Sequence, residues 1–200
     1  MTVSPPVHPP EQRRRAGLLG DAAFLRLWSA TTASGLATWA MPFLLGLAVV
    51  EGTLSGASLG LLLAARTVGF LVAVPVGGVL ADRYARRTVV RIAGLAAAVA
   101  TPLLVWGLTH APTVAAAAAA VVGAGQGACR PAFQALTAEV VPEDRRQAAN
   151  AAITLAVRVT TLAAPALAAV LAVVASSGLL LLATGLLWLA TGLAPRPRPA

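Results

Sequence analysis

The sequence predicts an all-α membrane protein of six transmembrane helices, and three observations carry that prediction. Mean hydropathy is +0.81, with 58% hydrophobic and only 11% charged residues. A soluble domain is usually about half apolar and about a quarter charged. Several windows reach the roughly 18–20 apolar residues that let a helix cross a bilayer. Finally, runs such as LGLLLAARTVGFLVAVPVGGVLA do not alternate apolar and polar residues as barrel strands do. Helices and closed barrels are the two ways to satisfy a backbone in lipid, so these runs are helices.

The elements follow in order. Residues 1–20 open with MTVSPPVHPPEQRRR, a Pro- and Arg-rich segment expected to be a disordered tail. Arg13, Arg14 and Arg15 before an apolar run resemble a secretory signal. That run is too long for a signal's core, and no A-x-A site closes it, so an uncleaved first helix is expected. The bundle occupies 21–195, with spans at 24–50, 57–81, 88–108, 113–140, 147–175 and 177–194. EGTLSG, ADRYARR, THAPT, VPEDRR and ASSG separate them. The sixth span stops at PRPRPA, where alternating proline ends any helix and residues 196–200 form a short tail.

The charges test this count. All fifteen basic residues are arginine, giving a formal charge of +8. In a soluble protein such a balance points to nucleic acid, but here the arginines sit beside apolar runs. Arg13, Arg14 and Arg15 precede the first span. Arg83, Arg86, Arg87 and Arg91 lie at the second connection, Arg145 and Arg146 at the fourth, and Arg196 and Arg198 follow the sixth span. The other three connections hold no Lys or Arg. All eleven therefore fall on one side of a six-span arrangement, which the positive-inside rule makes the cytoplasm, with both termini inside. A wrong count would scatter them. The partner this predicts is the lipid bilayer of the cell membrane, not nucleic acid.

Enzyme chemistry has little to work with. One cysteine, Cys129, permits no intrachain disulfide and reads as a small packing residue. His8 and His110 are the two histidines, so neither a metal cluster nor a Ser/His or Cys/His pair is available. No cofactor is expected. GAGQGA at 123–128 lies within a span with no strand before it, which excludes a phosphate cradle. Its small residues instead suit close helix packing.

The segment GVLADRYARR at 78–87 places Gly78, Asp82, Arg83, Arg86 and Arg87 between the second and third spans. It resembles the G-x-L-a-D-R-x-G-R-R loop of the major facilitator superfamily, with Ala85 replacing the second glycine and implying an altered turn. The segment GAGQGACRPAFQALTAEVVPEDRRQAANA at 123–151 is similar to the fourth-to-fifth helix region of that family's drug and siderophore exporters. The resemblance covers about 20–195 and corresponds to an amino-terminal six-helix half, made of two inverted three-helix repeats. It implies that Asp82 latches the cytoplasmic side against a helix of the other half, and that Arg86 reaches an acid at the end of helix four, for which Glu139 is best placed. Without the resemblance, Arg83, Arg86 and Arg87 are adequately explained as topology charges, whereas Asp82 is not.

Three arginines lie deeper: Arg66, Arg130 and Arg158. A cation near the bilayer centre costs about 2.5–3.5 kcal/mol on insertion scales, so such groups face the bundle interior or water. Arg130 is close enough to the cytoplasmic edge to snorkel. The resemblance makes spans one, two, four and five cavity-lining, and so makes Arg66, Gln126, Arg130 and Arg158 candidate lining residues for an anionic or carbonyl-rich substrate. No Asp or Glu lies in the middle of a span, so no clear proton carrier is evident, and a missing half, Glu51, Asp82 and Glu139 all stay open for that role. Pro42, Pro75, Pro102, Pro131 and Pro165 each fall within a span, where proline bends a helix.

The function this implies is a secondary transporter, exporting a small molecule by alternating access. It would need a second six-helix unit: a self-copy, a separate chain or a missing continuation. The alternative is a truncated non-transporting membrane protein or six-helix scaffold.

Overall fold

Residues 20–194 are described by a computed structural model. Six α-helices follow one another: α1 (Ala22–Val50), α2 (Gly56–Arg83), α3 (Arg86–His110), α4 (Pro112–Val140), α5 (Arg146–Leu171) and α6 (Ser177–Leu193). A short 3₁₀ turn (Glu143–Arg145) precedes α5. Residues 1–19 and 195–200, which hold the expected tails at 1–20 and 196–200 apart from residue 20, lie outside the described residues, as does the side chain of Asp82.

Local chemistry sets the helix starts. The Asp21 carboxylate accepts from the Ala23 and Phe24 amides at 2.8 and 3.4 Å, capping α1. Ser55 and Ser176 cap α2 and α6 in the same way, and Pro112 occupies the first turn of α4, where its missing N–H costs nothing. After α1, Gly52 adopts φ +75°, and the Thr53 and Leu54 amides and the Thr53 hydroxyl all donate to the Ala48 carbonyl. That is the left-handed glycine stop expected of a helix end. The α2–α3 connection is only Tyr84 and Ala85, both at negative φ. At these angles the turn holds alanine at 85 without strain.

Most ends fall within two residues of expectation, and one differs by more. The fifth helix ends at Leu171 and not at 175. Val173 and Val174 donate to Val170 and Leu171 through tightened three-residue bonds, and Ser176 begins the next helix. Five helices, 25–29 residues each, are long and apolar enough to cross a membrane. The 17 residues of α6 make a rod of about 26 Å, slightly short of a hydrocarbon core of about 30 Å.

The helices pack in a fixed pattern. α4 lies between α2 and α3, α1 lies between α5 and α6, and α3 packs on α6. Lipid tails are as apolar as the side chains, so hydrophobicity alone does not drive these pairs together, and close backbone approach does much of that work. The seam between α2 and α4 shows it. A Cβ on Gly77 would stand 2.6 Å from the Ala128 Cα, and one on Gly127 2.6 Å from the Phe70 carbonyl oxygen. A Cβ on Gly123 or Gly69 would overlap the carbonyl of Arg66 or Ala120. Gly94 and Gly192 bring α3 and α6 together less tightly, with a Cβ at each 2.7 and 3.1 Å from the facing backbone. Buried hydroxyls stay satisfied within their own helices, as when Thr101 donates to Ala97 and Thr137 to Phe133.

Gly123→Ala should therefore destabilise the protein by about 1–3 kcal/mol through backbone overlap. Gly60, also helical but with open space beyond its Cα, should gain about 0.5–1 kcal/mol on substitution by Ala. Thermal unfolding of the two detergent-solubilised variants against the parent checks the opposite signs.

Candidate functional site

The site begins with a missing hydrogen bond. Pro42 sits inside α1 and has no N–H, so the carbonyl four residues earlier, Thr38, has no helical donor. Arg66 of α2 supplies one: its Nη2 donates to the Thr38 carbonyl at 3.1 Å and to Gln126 Oε1 of α4 at 2.8 Å. Three helices thus converge on one guanidinium. The approach that permits this is the glycine seam, because Gly123, one turn before Gln126, lies against the backbone carbonyl of Arg66 itself. Arg66 Nε is buried without a hydrogen-bond partner. Among the described residues no carboxylate pairs with this cation.

The other deep arginines are not gathered here. Arg130 lies one turn beyond Gln126 on α4 and is exposed. Arg158 lies on α5, which packs against α1, and is also exposed. A groove between α1, α5 and α6 is lined by Leu36, Leu44, Leu167, Leu180 and Leu187 and carries no charged side chain. Its polar side chain, Thr184, is already engaged, donating to the Leu181 carbonyl of its own helix.

A second cluster stands at the α2–α3 and α4–α5 end. Glu139, in the last turn of α4, lies 3.6 Å from Arg86 Nη1 and 3.8 Å from Arg87 Nη2. The pair sits at the surface, with Arg86 and Glu139 about two-fifths exposed, so each contact is worth no more than about 1 kcal/mol. Arg146 donates to the carbonyls of Ala138 and Val141, closing the α4–α5 corner. Gly78 has open space beside it, Arg83 is exposed, and Asp82 lies in the last turn of α2.

Residues 27–200 match the sequence profile of the Major Facilitator Superfamily. The chain belongs to that superfamily. No curated protein matches it. Membership makes this a transporter of the major facilitator kind and a multi-pass membrane protein, consistent with its long apolar helices.

Sequence reasoning missed two features of this transporter. One is the Thr38 carbonyl, although a proline in a helix always points to an open carbonyl four residues back. The other is the partner of Glu51, whose carboxylate accepts from both the amide and the hydroxyl of Ser177, 126 residues away. Its signal was present too: a carboxylate at a helix C-terminus opposes that helix's dipole, so it serves something else.

Replacing Gln126 by Leu removes a charge-assisted bond and leaves the half-buried cation with one acceptor fewer. We expect a loss of about 1.5–3 kcal/mol. Arg66→Met, which leaves both the Thr38 carbonyl and Gln126 Oε1 without their donor, should cost at least as much. In the double variant the Gln126 effect should largely vanish, which a thermal-unfolding cycle of the four proteins reads directly.

Proposed function

We propose that this chain forms one wall of a small-molecule exporter that works by alternating access against a second six-helix unit. The observation that carries the substrate side is Arg66, a cation held between three helices with no carboxylate partner among the described residues. We place Arg66 and Gln126 in the lining of a cavity that suits an anionic or carbonyl-rich substrate, which supplies the acceptor that Arg66 still lacks, with the exposed Arg130 and Arg158 as further lining candidates from α4 and α5.

An inverted-repeat architecture is supported by two regularities. The starts of α1 and α4 (Ala22, Pro112), of α2 and α5 (Gly56, Arg146) and of α3 and α6 (Arg86, Ser177) are each 90 or 91 residues apart. Exchanging α1 with α4, α2 with α5 and α3 with α6 also leaves the pattern of main helix pairs unchanged. A cytoplasmic position for the α2–α3 and α4–α5 connections rests on their arginines, against none in the other three connections.

The second unit is called for by the outer flanks. α2 exposes Leu61, Val68, Leu71, Val72, Val76 and Val79, and α5 exposes Leu155, Leu162 and Val170. These faces alone would suit lipid, but α5 also exposes Arg158 near its middle, where lipid is a poor neighbour. Water or protein on that face removes the conflict. A self-copy, a separate chain or a continuation of this one fits equally. In this arrangement Asp82, by its resemblance to the superfamily loop, latches the cytoplasmic side to the other unit, while Glu139 holds Arg86 and Arg87 ready beside it.

Cells carrying the chain should clear an anionic fluorescent dye or a siderophore faster than empty cells. Asp82→Asn should abolish the difference, and Arg66→Gln should weaken apparent affinity about tenfold for loss of a charged hydrogen bond. Clearance at the empty-cell level with and without Asp82→Asn overturns transport by this chain alone. Unchanged affinity for every anion tested in Arg66→Gln overturns the substrate class.

A further inference from the structure

The transport reading leaves the contact between Glu51 and Ser177 unused. Glu51 is the C-cap of α1, and its own amide donates to the Leu47 carbonyl. A carboxylate there faces the negative end of the α1 dipole. Across the bundle it meets the first residue of α6. The Ser177 amide donates to Oε1 at 3.1 Å and the Ser177 hydroxyl to Oε2 at 2.5 Å. Both oxygens are engaged, an orphan amide of the first turn of α6 is satisfied, and the negative charge lies at the positive end of that helix.

The opposite end of the bundle carries the same arrangement in other chemistry. Glu139 also occupies an unfavourable place, in the last turn of α4, and Arg86 and Arg87 are equally misplaced for their dipole in the first turn of α3. They meet at 3.6 and 3.8 Å. Exchanging α1 with α4 and α6 with α3 brings the two contacts to the same ends of the corresponding helices: Ser177 falls opposite Arg86, and Glu51, opposite Val141, stands two residues past the place of Glu139. In each, an acid at the end of a repeat's first helix grips the first turn of the other repeat's third helix. Each acid conflicts with its own helix, and each conflict is relieved across the repeat boundary.

We propose that Glu51 and Ser177 form a clamp matching the Glu139–Arg86/Arg87 contact, so that the two repeats are fastened once at each membrane face. The clamp binds α1 to α6 on the arginine-free side, and the salt bridge binds α4 to α3 on the arginine-rich side. On the transport reading, this fastening makes the six helices turn as one body when access alternates. The clamp itself stands without that reading and is measured without substrate.

The test is hydrogen exchange by mass spectrometry on the full chain in lipid nanodiscs. In Glu51→Ala the amides of 177–180 should exchange about tenfold faster, the factor expected for losing a charge-assisted bond. Glu51→Gln, which keeps a neutral acceptor, should fall between. Ser177→Ala should show a smaller rise, because its amide still donates. Glu139→Ala should quicken the start of α3 and leave 177–180 unchanged. Parent-like exchange at 177–180 in Glu51→Ala overturns the clamp. So does equal quickening of α3 and α6 in that variant, which marks general loosening. If Glu51→Ala does not fold, Glu51→Gln and Ser177→Ala decide the matter by the same readout.

Discussion

Much of the centre of this bundle depends on one carbonyl. Pro42 deprives Thr38 of its helical donor, and an unpaired carbonyl in a membrane interior costs several kcal/mol. Arg66 relieves that cost with 3.1 Å geometry, but only because α2 can be drawn toward α1 and α4 together. The arginine in turn needs acceptors, and Gln126 provides one at 2.8 Å. Removing any of the three leaves a partner unsatisfied. The chain of dependence runs from a proline, through a carbonyl, to a cation whose Nε still has no acceptor.

Glycine makes this geometry reachable. The α2–α4 seam is so close that no side chain fits at Gly69, Gly77, Gly123 or Gly127 without moving backbone. Such contact fixes the relative height of the two helices, and height determines whether Gln126 meets Arg66 or misses it. On the other flank the approach is looser in kind. A Cβ on Gly35 would meet the Thr160 hydroxyl of α5 at 2.6 Å, an obstacle that a side-chain rotation can relieve. The two flanks share a plan but not a tolerance.

Helix number and order were legible because length, apolarity and arginine placement are one-dimensional properties. The early end of α5 was not, since a run of Val and Ala reads as helix until Ser176 is seen to cap the next one. The site was legible only in part. Arg66 and Gln126 stood out as polar residues in apolar spans, yet 60 residues separate them, and nothing local says they touch. Ser177 looked like an ordinary turn residue, and its role appears only when α1 and α6 are side by side. The latch assigned to Asp82 rests on resemblance, which no count of charges replaces.

Arg66 and Arg158 show how one sequence rule divides in three dimensions. Both are single cations deep in long apolar helices, and the insertion cost is the same for each. Arg66 is met by its own unit, through α1 and α4. Arg158 stands twelve residues into α5, about 18 Å from its start, and remains exposed. An arginine near the ends of a span can bend its long stem to the headgroups. From the middle of a helix about 39 Å long, that reach falls short. The exposed flank of α5 is therefore a poor lipid surface despite its leucines and valines. A neighbour that brings water or acceptors to Arg158 completes on that flank what Thr38 and Gln126 already do for Arg66.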